Sequence, residues 1–188
     1  MSARDRLHWD ERYRQYPDDH YPDPDPLLFE FTPFVPQDGR ERRALDLACG
    51  LGQNGLWLSE QGYSTDLLDI SREALRRAQE QAAARKLKNL NFLQVDLEEA
   101  ALQNEAYDVV CVFRFLIRAL FPRIKLAVRP GGRVIYQTFN LNYLKHKPIF
   151  NADYLLQPGE LLRAFADWRV LHSQELDHIS QIVAVRPE

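Results

Sequence analysis

Short apolar runs alternate with helical patterns along the chain from residue 43 onward. The apolar runs occupy residues 44–48, 63–68, 90–95, 107–113 and 133–139. Such an alternation of strands with helices is typical of βαβ units and a parallel sheet. The run 107–113 is almost wholly apolar after Asp108, which predicts a central strand that is buried on both faces.

Helix signals fill the gaps between these runs. One helix is predicted to follow the first strand and to end near Gly62, which suits the position after a helix. A second begins at Ser71, whose hydroxyl suits an N-cap, and runs to about Lys86. Pro122 and Pro158 each suit the first position of a further helix.

Both ends of the chain depart from this alternation. The tail holds two apolar stretches, at about 169–174 and 178–185, that are too close for a crossover, which predicts an antiparallel pair. Six of the 11 prolines precede residue 37, and this proline-rich stretch is not expected to form regular helix. Upstream of it, residues 7–16 predict a short amphipathic helix. We therefore expect residues 1–36 to form an N-terminal arm.

Composition places the chain among ordinary globular proteins. A length of 188 residues predicts a single domain, 1–188, and 45% hydrophobic with 27% charged residues allows a normal core. A net charge of −3 gives no electrostatic footprint for nucleic acid or an anionic membrane. Because the N-terminus is charged and no apolar run reaches the ~20 residues of a membrane span, we expect a cytoplasmic protein.

The sequence gives no sign of a metal site or a disulfide scaffold. Two cysteines are too few for either a disulfide framework or a four-ligand zinc site. His8, His20, His172 and His178 show no metal-ligand spacing, and the basic stretch 145–147 is predicted to be a solvated loop. No metal is expected.

The first strand leads into a glycine motif that two classes of protein use. Gly50, Gly52 and Gly55 spell GxGxxG within the stretch DLACGLGQNG at 46–55, and Asp69 follows at the ~20-residue spacing of a ribose-binding acid. A dinucleotide-binding oxidoreductase needs these parts, and so does a methyltransferase that binds S-adenosylmethionine. The glycines alone leave both readings open.

Three further features favour the methyltransferase. Asp46 lies inside the first strand, where a carboxylate opposes a pyrophosphate but suits the ammonium and sulfonium of S-adenosylmethionine. Asp96 ends the third strand, so that acids follow three successive strands. The terminal hairpin after RPGG is also unusual for a dinucleotide-binding sheet.

With these motifs the chain resembles the class I S-adenosylmethionine-dependent methyltransferases, and within them the small tellurite-resistance-type (TehB-like) branch. The matching stretches are WDERY, LDLACGLGQNG, LLDIS, VDL, VFRFLIRALFP, RPGGRVIYQTF and YLLQPGELL. The resemblance implies an α/β fold, a Rossmann-like three-layer sandwich with a seven-stranded, mostly parallel sheet whose last strand is antiparallel. It also implies S-adenosyl-L-methionine as cofactor and S-adenosyl-L-homocysteine as product.

The resemblance also implies roles for individual residues. The cofactor-binding set that it carries over is Trp9, Tyr13, Asp46, Cys49, Gly50, Gly52, Asn54, Asp69, Ile70, Asp96, Leu97 and Phe113. Within it, Asp69 corresponds to the ribose ligand, Asp96 to the adenine ligand, and Trp9 with Tyr13 to arm residues that close over the cofactor. Two positions depart from relatives, which commonly have Arg at Gln53 and His at Ile117; the second departure removes an obvious base.

These residues predict methyl transfer to a small-molecule acceptor. Because no clear base is present, we expect an anionic or soft nucleophile, such as a thiol or a selenium or tellurium species, oriented by Arg114 or Arg118. No nucleic-acid or membrane partner is expected, and the chain is expected to be a monomer or a homodimer. A nicotinamide-dependent oxidoreductase and a non-catalytic S-adenosylmethionine-binding protein remain the alternatives.

Overall fold

The structure, a computed structural model, describes residues 3–17 and 21–188. The chain divides into two units, Met1–Ala101 and Leu102–Glu188. Arm residues 1, 2 and 18–20 lie outside the described residues. Among the described helices, none is long and apolar enough to span a bilayer.

The first unit contains three strands and four helices among its described residues. In chain order they are α1 (Ala3–Arg14), α2 (Pro26–Phe31), β1 (Arg43–Leu47), α3 (Gln53–Glu60), β2 (Ser64–Asp69), α4 (Arg72–Ala84) and β3 (Leu90–Gln94). β1 pairs with β2 and β2 with β3, both in parallel. The register sets Asp46 opposite Leu67 and Leu67 opposite Phe92. The predicted βαβ alternation is thus confirmed in this unit.

Helix α4 forms where its capping residue and apolar spacing predict it. The Ser71 hydroxyl oxygen accepts a hydrogen bond from the Ala74 N–H at 3.1 Å, which satisfies one of the unpaired donors of the first turn. The residues that α4 buries recur at helical spacing: Ala74, Leu75, Ala78 and Ala82. Three of the four are alanines, whose small size lets the helix lie close to the sheet.

The proline-rich stretch corrects one expectation, because it does contain regular helix. Asp25 caps α2 by accepting the Leu27 N–H at 3.1 Å, and Pro26 takes the first helical position, where its missing N–H costs nothing. Leu27 and Leu28 are buried beneath this short helix. The prolines here begin and end a helix instead of excluding it.

The second unit contains the remaining strands. Its elements are β4 (Tyr107–Phe113), α5 (Leu120–Ala127), β5 (Val128–Phe139), 3₁₀ helices at Leu141–Lys145 and Ala152–Tyr154, α6 (Glu160–Ala164), β6 (Arg169–Glu175) and β7 (Ile179–Val185). β4 pairs with β5 in parallel, whereas β7 is antiparallel to both β5 and β6. The seven strands follow the order β3-β2-β1-β4-β5-β7-β6. This confirms the Rossmann-like sheet, with the last strand antiparallel.

Two helix starts differ from the sequence expectation. Helix α5 begins at Leu120, so Pro122 is its third residue, where the first-turn N–H has no intrahelical partner to lose. Helix α6 begins at Glu160 after Gly159, which has a φ of +68°. Pro158 therefore precedes the helix instead of opening it.

Candidate active site

Asp46 is a carboxylate inside the core of the first unit. Its side chain is only 1% exposed, and Leu45 and Leu47 beside it are fully buried. Its Oδ2 accepts the Gly55 N–H at 2.9 Å, which ties the end of β1 to the first turn of α3. A buried carboxylate is costly unless it is hydrogen-bonded, so this contact helps to keep a negative charge beside the glycine turn.

The turn between β1 and α3 requires left-handed backbone. Ala48, Gly50 and Gly52 have φ of +54°, +56° and +82°. A Cβ on Gly52 would lie 2.8 Å from Leu67 Cδ2 and 2.9 Å from Ala78 Cβ. Gly52 is thus required by the packing of its own unit, whereas Ala48 holds strain of the kind that recurs at functional sites.

The absence of a side chain at Gly50 lets Tyr13 lie directly against the same turn. A Cβ at this position would lie 2.6 Å from the Tyr13 hydroxyl oxygen. The Cys49 thiol is buried beside it, with Sγ 3.7 Å from the Gly50 carbonyl oxygen. A glycine here lets a side chain or a ligand approach the bare backbone.

Asp69 brings a second carboxylate to this turn. Its Oδ2 accepts the Gly50 N–H at 2.8 Å, and its Oδ1 accepts the Ser71 N–H at 2.8 Å. Burial raises the pKa of Asp69, although these backbone hydrogen bonds oppose the rise. The Ile70 carbonyl accepts the Gln94 amide at 3.1 Å. The sequence-predicted acids Asp46 and Asp69 therefore meet at one glycine turn.

The N-terminal helix is docked on α4 by residues that sequence reasoning missed. Asp10 Oδ1 accepts the Ser71 hydroxyl at 2.7 Å and the Glu73 N–H at 3.1 Å. Arg77 Nη1 donates to the carbonyls of Tyr13 and Tyr16, each at 2.7 Å. The available signal was Asp10 within WDERY, since an acid suits the N-terminal end of another helix.

Docking of α1 brings the predicted arm residues to the glycine turn. The rings of Trp9 and Tyr13 are stacked, with centroids 5.9 Å apart. Burial, and next the Asp69 charge, raise the pKa of Tyr13, so its hydroxyl stays protonated. Further along the arm, Tyr21 donates a hydrogen bond to the Leu51 carbonyl. Within the first unit the arm thus contacts the turn at two points.

Asn54 and Gln53 begin α3 with different partners. The Asn54 side-chain carbonyl accepts the Asp25 N–H at 2.8 Å, which anchors the arm to the motif. The Gln53 Oε1 atom is buried and has no hydrogen-bond partner among the described residues. A buried acceptor without a donor is costly, and a ligand N–H or ammonium would satisfy it.

Asp96 and Leu97 lie in the turn that follows β3. Asp96 Oδ1 accepts the Glu98 N–H at 2.9 Å, and the Asp96 carbonyl accepts the Ala100 N–H at 2.8 Å. Leu97 is 2% exposed. Asp96 therefore caps a turn, as its local sequence also allows, and the adenine role stays a prediction.

In the second unit, Arg114 directly follows the buried strand β4. Phe113, the last strand residue, is buried, and Arg114 has a φ of +56°, which is strained for an arginine. Its N–H donates to the Gln137 carbonyl at 2.8 Å, and the next carbonyl, of Phe115, accepts the Tyr136 hydroxyl at 2.9 Å. The backbone is therefore fixed while the Arg114 side chain is exposed.

Arg118 is held by internal contacts. It donates to the Glu160 carboxylate from Nε at 2.6 Å and from Nη2 at 2.9 Å, and also to the carbonyls of Asp153 and Leu155. The Glu160 carboxylate raises the pKa of Arg118. The planar Arg118 guanidinium thus binds both oxygens of the Glu160 carboxylate, as in other bidentate arginine–carboxylate pairs.

The buried acceptor groups of the first unit fit S-adenosylmethionine. Two buried carboxylates, Asp46 and Asp69, flank a glycine turn, and Gln53 adds an unsatisfied acceptor. Negative charge and acceptors suit a ligand with an ammonium and a sulfonium. The same set would repel the pyrophosphate of a dinucleotide, since no compensating cation stands among these three residues.

Comparison with known proteins agrees with this assignment. Residues 44–132 match the family model of the methyltransferase domain. The chain is 33% identical over 142 residues to hemagglutinin 1 of Eikenella corrodens, covering 71% of this chain and 46% of that protein. It is 31% identical over 144 residues to a ubiquinone biosynthesis O-methyltransferase of Alkalilimnicola ehrlichii, covering 72% and 57%. The chain spans about half the length of the curated relatives it matches.

Solved structures share the fold. One is a structure reported for the conversion of a disulfide bond into a thioacetal group during echinomycin biosynthesis. It superposes on this chain with a TM-score of 0.74 at 20% identity, covering 97% of this chain and 92% of that one. TehB from Haemophilus influenzae gives a TM-score of 0.67 at 19% identity, covering 79% and 58%.

The sheet order is that of the class I methyltransferase fold, and residues 44–132 are similar to a methyltransferase domain.

Proposed function

We propose that this protein transfers the methyl group of S-adenosylmethionine to a small-molecule acceptor with an anionic or soft nucleophile, such as a thiol or a selenium or tellurium species. The observation that carries the proposal is Arg114, an exposed cation on a strained, fixed backbone. Ile117 leaves the same loop without a base, which favours a nucleophile that needs no deprotonation.

When bound, the cofactor supplies an activated methyl group, which the acceptor's lone pair takes as the carbon–sulfur bond breaks and its electron pair returns to sulfur. The protein's task is alignment and exclusion of water. Asp46, Asp69 and the Gln53 oxygen would hold the cationic end, with Asp69 also serving the ribose. Trp9 and Tyr13 would cover the bound molecule.

Two arginines follow β4, and their contacts divide the roles between them. Arg118 donates its hydrogen bonds to Glu160 and to two backbone carbonyls, which suits a residue that positions the loop. No hydrogen bond or ion pair of the Arg114 side chain occurs among the described residues. We assign acceptor orientation to Arg114 and loop positioning to Arg118.

The relatives support two acceptor chemistries. The echinomycin structure concerns sulfur chemistry, which supports a soft acceptor. TehB shares the fold, which supports the tellurite-resistance-type branch. The ubiquinone-pathway relatives act on oxygen, so a phenol belongs among the compounds to test. We also propose that residues 1–188 act as one methyltransferase domain, with 1–36 as its arm.

Cofactor binding is tested first, by thermal unfolding with S-adenosylmethionine, S-adenosylhomocysteine, NAD and NADP. At about 100 times its dissociation constant, a ligand stabilises by about 2.7 kcal/mol, which corresponds to roughly 5–11 °C for a chain of this size. We expect a shift with the two adenosyl ligands alone. A shift with NAD or NADP alone would contradict the cofactor assignment.

Turnover is then measured as S-adenosylhomocysteine release with a thiol, selenite, tellurite and a catechol. We expect R114Q to lower kcat/KM for the best acceptor about 10–100-fold, as for loss of a charge-assisted hydrogen bond. The lysine variant R114K should recover part of this activity, and the surface control R163Q should match wild type. Normal turnover by R114Q would remove the proposed role. Cofactor binding without turnover of any acceptor would instead favour the non-catalytic alternative.

A further inference from the structure

Two histidines and an aspartate that are distant in sequence meet on the surface of the second unit. His146 ends the 3₁₀ helix at Leu141–Lys145, whereas Asp177 and His178 form the turn between β6 and β7. Their side-chain ligand atoms all lie within 4.8 Å of one another. The side chains are 50%, 62% and 35% exposed, so that ions in solution can reach them.

The two imidazoles converge on one carboxylate oxygen. Asp177 Oδ2 lies 2.8 Å from His146 Nε2 and 3.2 Å from His178 Nδ1. The two ring nitrogens therefore point toward a common position. We propose that His146, Asp177 and His178 form a binding site for a divalent transition-metal ion of the zinc class.

The geometry requires only small adjustments. At zinc–ligand distances of about 2.0–2.2 Å, tetrahedral ligand atoms stand about 3.3–3.6 Å apart. The His146–Asp177 contact, at 2.8 Å, must open by about 0.5–0.8 Å and the His178–Asp177 contact, at 3.2 Å, by about 0.1–0.4 Å, and the two imidazoles must approach each other. Exposed side chains permit both movements. Two imidazole nitrogens and one carboxylate oxygen supply three ligands, and water completes the fourth.

The surrounding residues hold the ligands in place. The Asn142 amide donates to the Asp177 carbonyl at 2.8 Å, and the Asn140 N–H donates to the His178 carbonyl at 3.1 Å. The Tyr143 ring also lies beside His178, with the two ring centroids 5.7 Å apart. The turn and the 3₁₀ helix are thus already joined, so an ion binding here does not have to close a long loop.

The chemistry of the set predicts which ions bind. Imidazole nitrogen favours zinc, nickel and copper, whereas magnesium and calcium take oxygen ligands. A bound zinc ion would connect residues 141–146 to the β6–β7 turn. The sequence could not reveal this site, because the ligands come from positions 31 residues apart that no short motif connects.

The test is titration of the full chain, freed of any affinity tag, with Zn²⁺ by calorimetry and with Co²⁺ by its visible absorption. We expect one Zn²⁺ per chain and no binding of Mg²⁺. The double variant H146Q/H178Q should bind Zn²⁺ at least about 100-fold more weakly, since even loss of an outer-shell partner costs 10–100-fold. The matched control H172Q, on β6 and hydrogen-bonded to Gln181, should bind as wild type does.

The outcomes separate this site from others in the chain. Both variants retain Cys49 and Cys111, which are not joined in a disulfide, so binding that survives in H146Q/H178Q comes from elsewhere and overturns the proposal. Absence of Zn²⁺ binding by wild type overturns it as well. The single variants H146Q and H178Q, each expected to weaken binding, give the same answer if the double variant does not fold.

Discussion

Replacing Gly52 by alanine tests whether this glycine serves the packing of α3. Two costs are expected. The first is the left-handed backbone, at φ +82°, which costs an alanine about 1–2 kcal/mol. The second is overlap with Leu67 Cδ2 at 2.8 Å and with Ala78 Cβ at 2.9 Å. Overpacking of a filled core costs typically 1–3 kcal/mol, so the free energy of unfolding should fall by about 2–5 kcal/mol.

Gly39 provides the matched control. It has a φ of +75°, and a Cβ there would meet no described atom within 4 Å. The free energy of unfolding of G39A should therefore fall only by the backbone cost of about 1–2 kcal/mol. The difference between G52A and G39A isolates the packing term.

The assay is urea unfolding of wild type, G52A and G39A, followed by far-UV circular dichroism and intrinsic fluorescence. Coincident transitions by the two probes are needed for a free energy of unfolding to be defined. We expect G52A to be less stable than G39A by at least about 1 kcal/mol. Equal losses in the two variants would mean that Gly52 is not required by packing.

Three further predictions address the arm, the cofactor turn and the core. R77Q should speed amide exchange in residues 3–17, because it removes donors to three arm carbonyls, while the surface control R76Q should not. D46N should weaken S-adenosylmethionine binding at least about 10-fold by calorimetry, since an amide can still accept the Gly55 N–H but carries no charge. Burial raises the pKa of Tyr136, so stability should fall above about pH 10 as that tyrosine ionises only in the unfolded chain. Y136F should show a smaller fall in urea unfolding between pH 9 and 11.

Much of the sheet could be predicted because its signals are local. The strand at Tyr107–Phe113 agrees with the apolar run at its exact bounds, and the Ser71 cap is where a hydroxyl precedes an apolar periodicity. Proline at a helix start was harder to place. A pyrrolidine ring is tolerated anywhere in the first turn, so Pro122 does not define where α5 begins.

The site could be predicted only in part, for a different reason. The acids Asp46 and Asp69 lie on two consecutive strands, so their meeting at the glycine turn follows from parallel pairing of β1 and β2. The contacts of Asp10 with α4 and of Arg118 with Glu160 join positions far apart in the chain. Nothing local in either segment specifies its partner.

The glycine turn and the docking of the arm share one run of hydrogen bonds. Asp69 accepts the Gly50 N–H through one oxygen and the Ser71 N–H through the other, while the Ser71 hydroxyl donates to Asp10 of α1. A ligand that moves the Asp69 carboxylate must therefore also affect the capping residue on which the arm rests. Because Tyr13 meets Gly50 directly as well, occupancy of the turn and the position of the arm are linked from two sides. Under the proposed function, the N-terminal arm would consequently form part of the cofactor site.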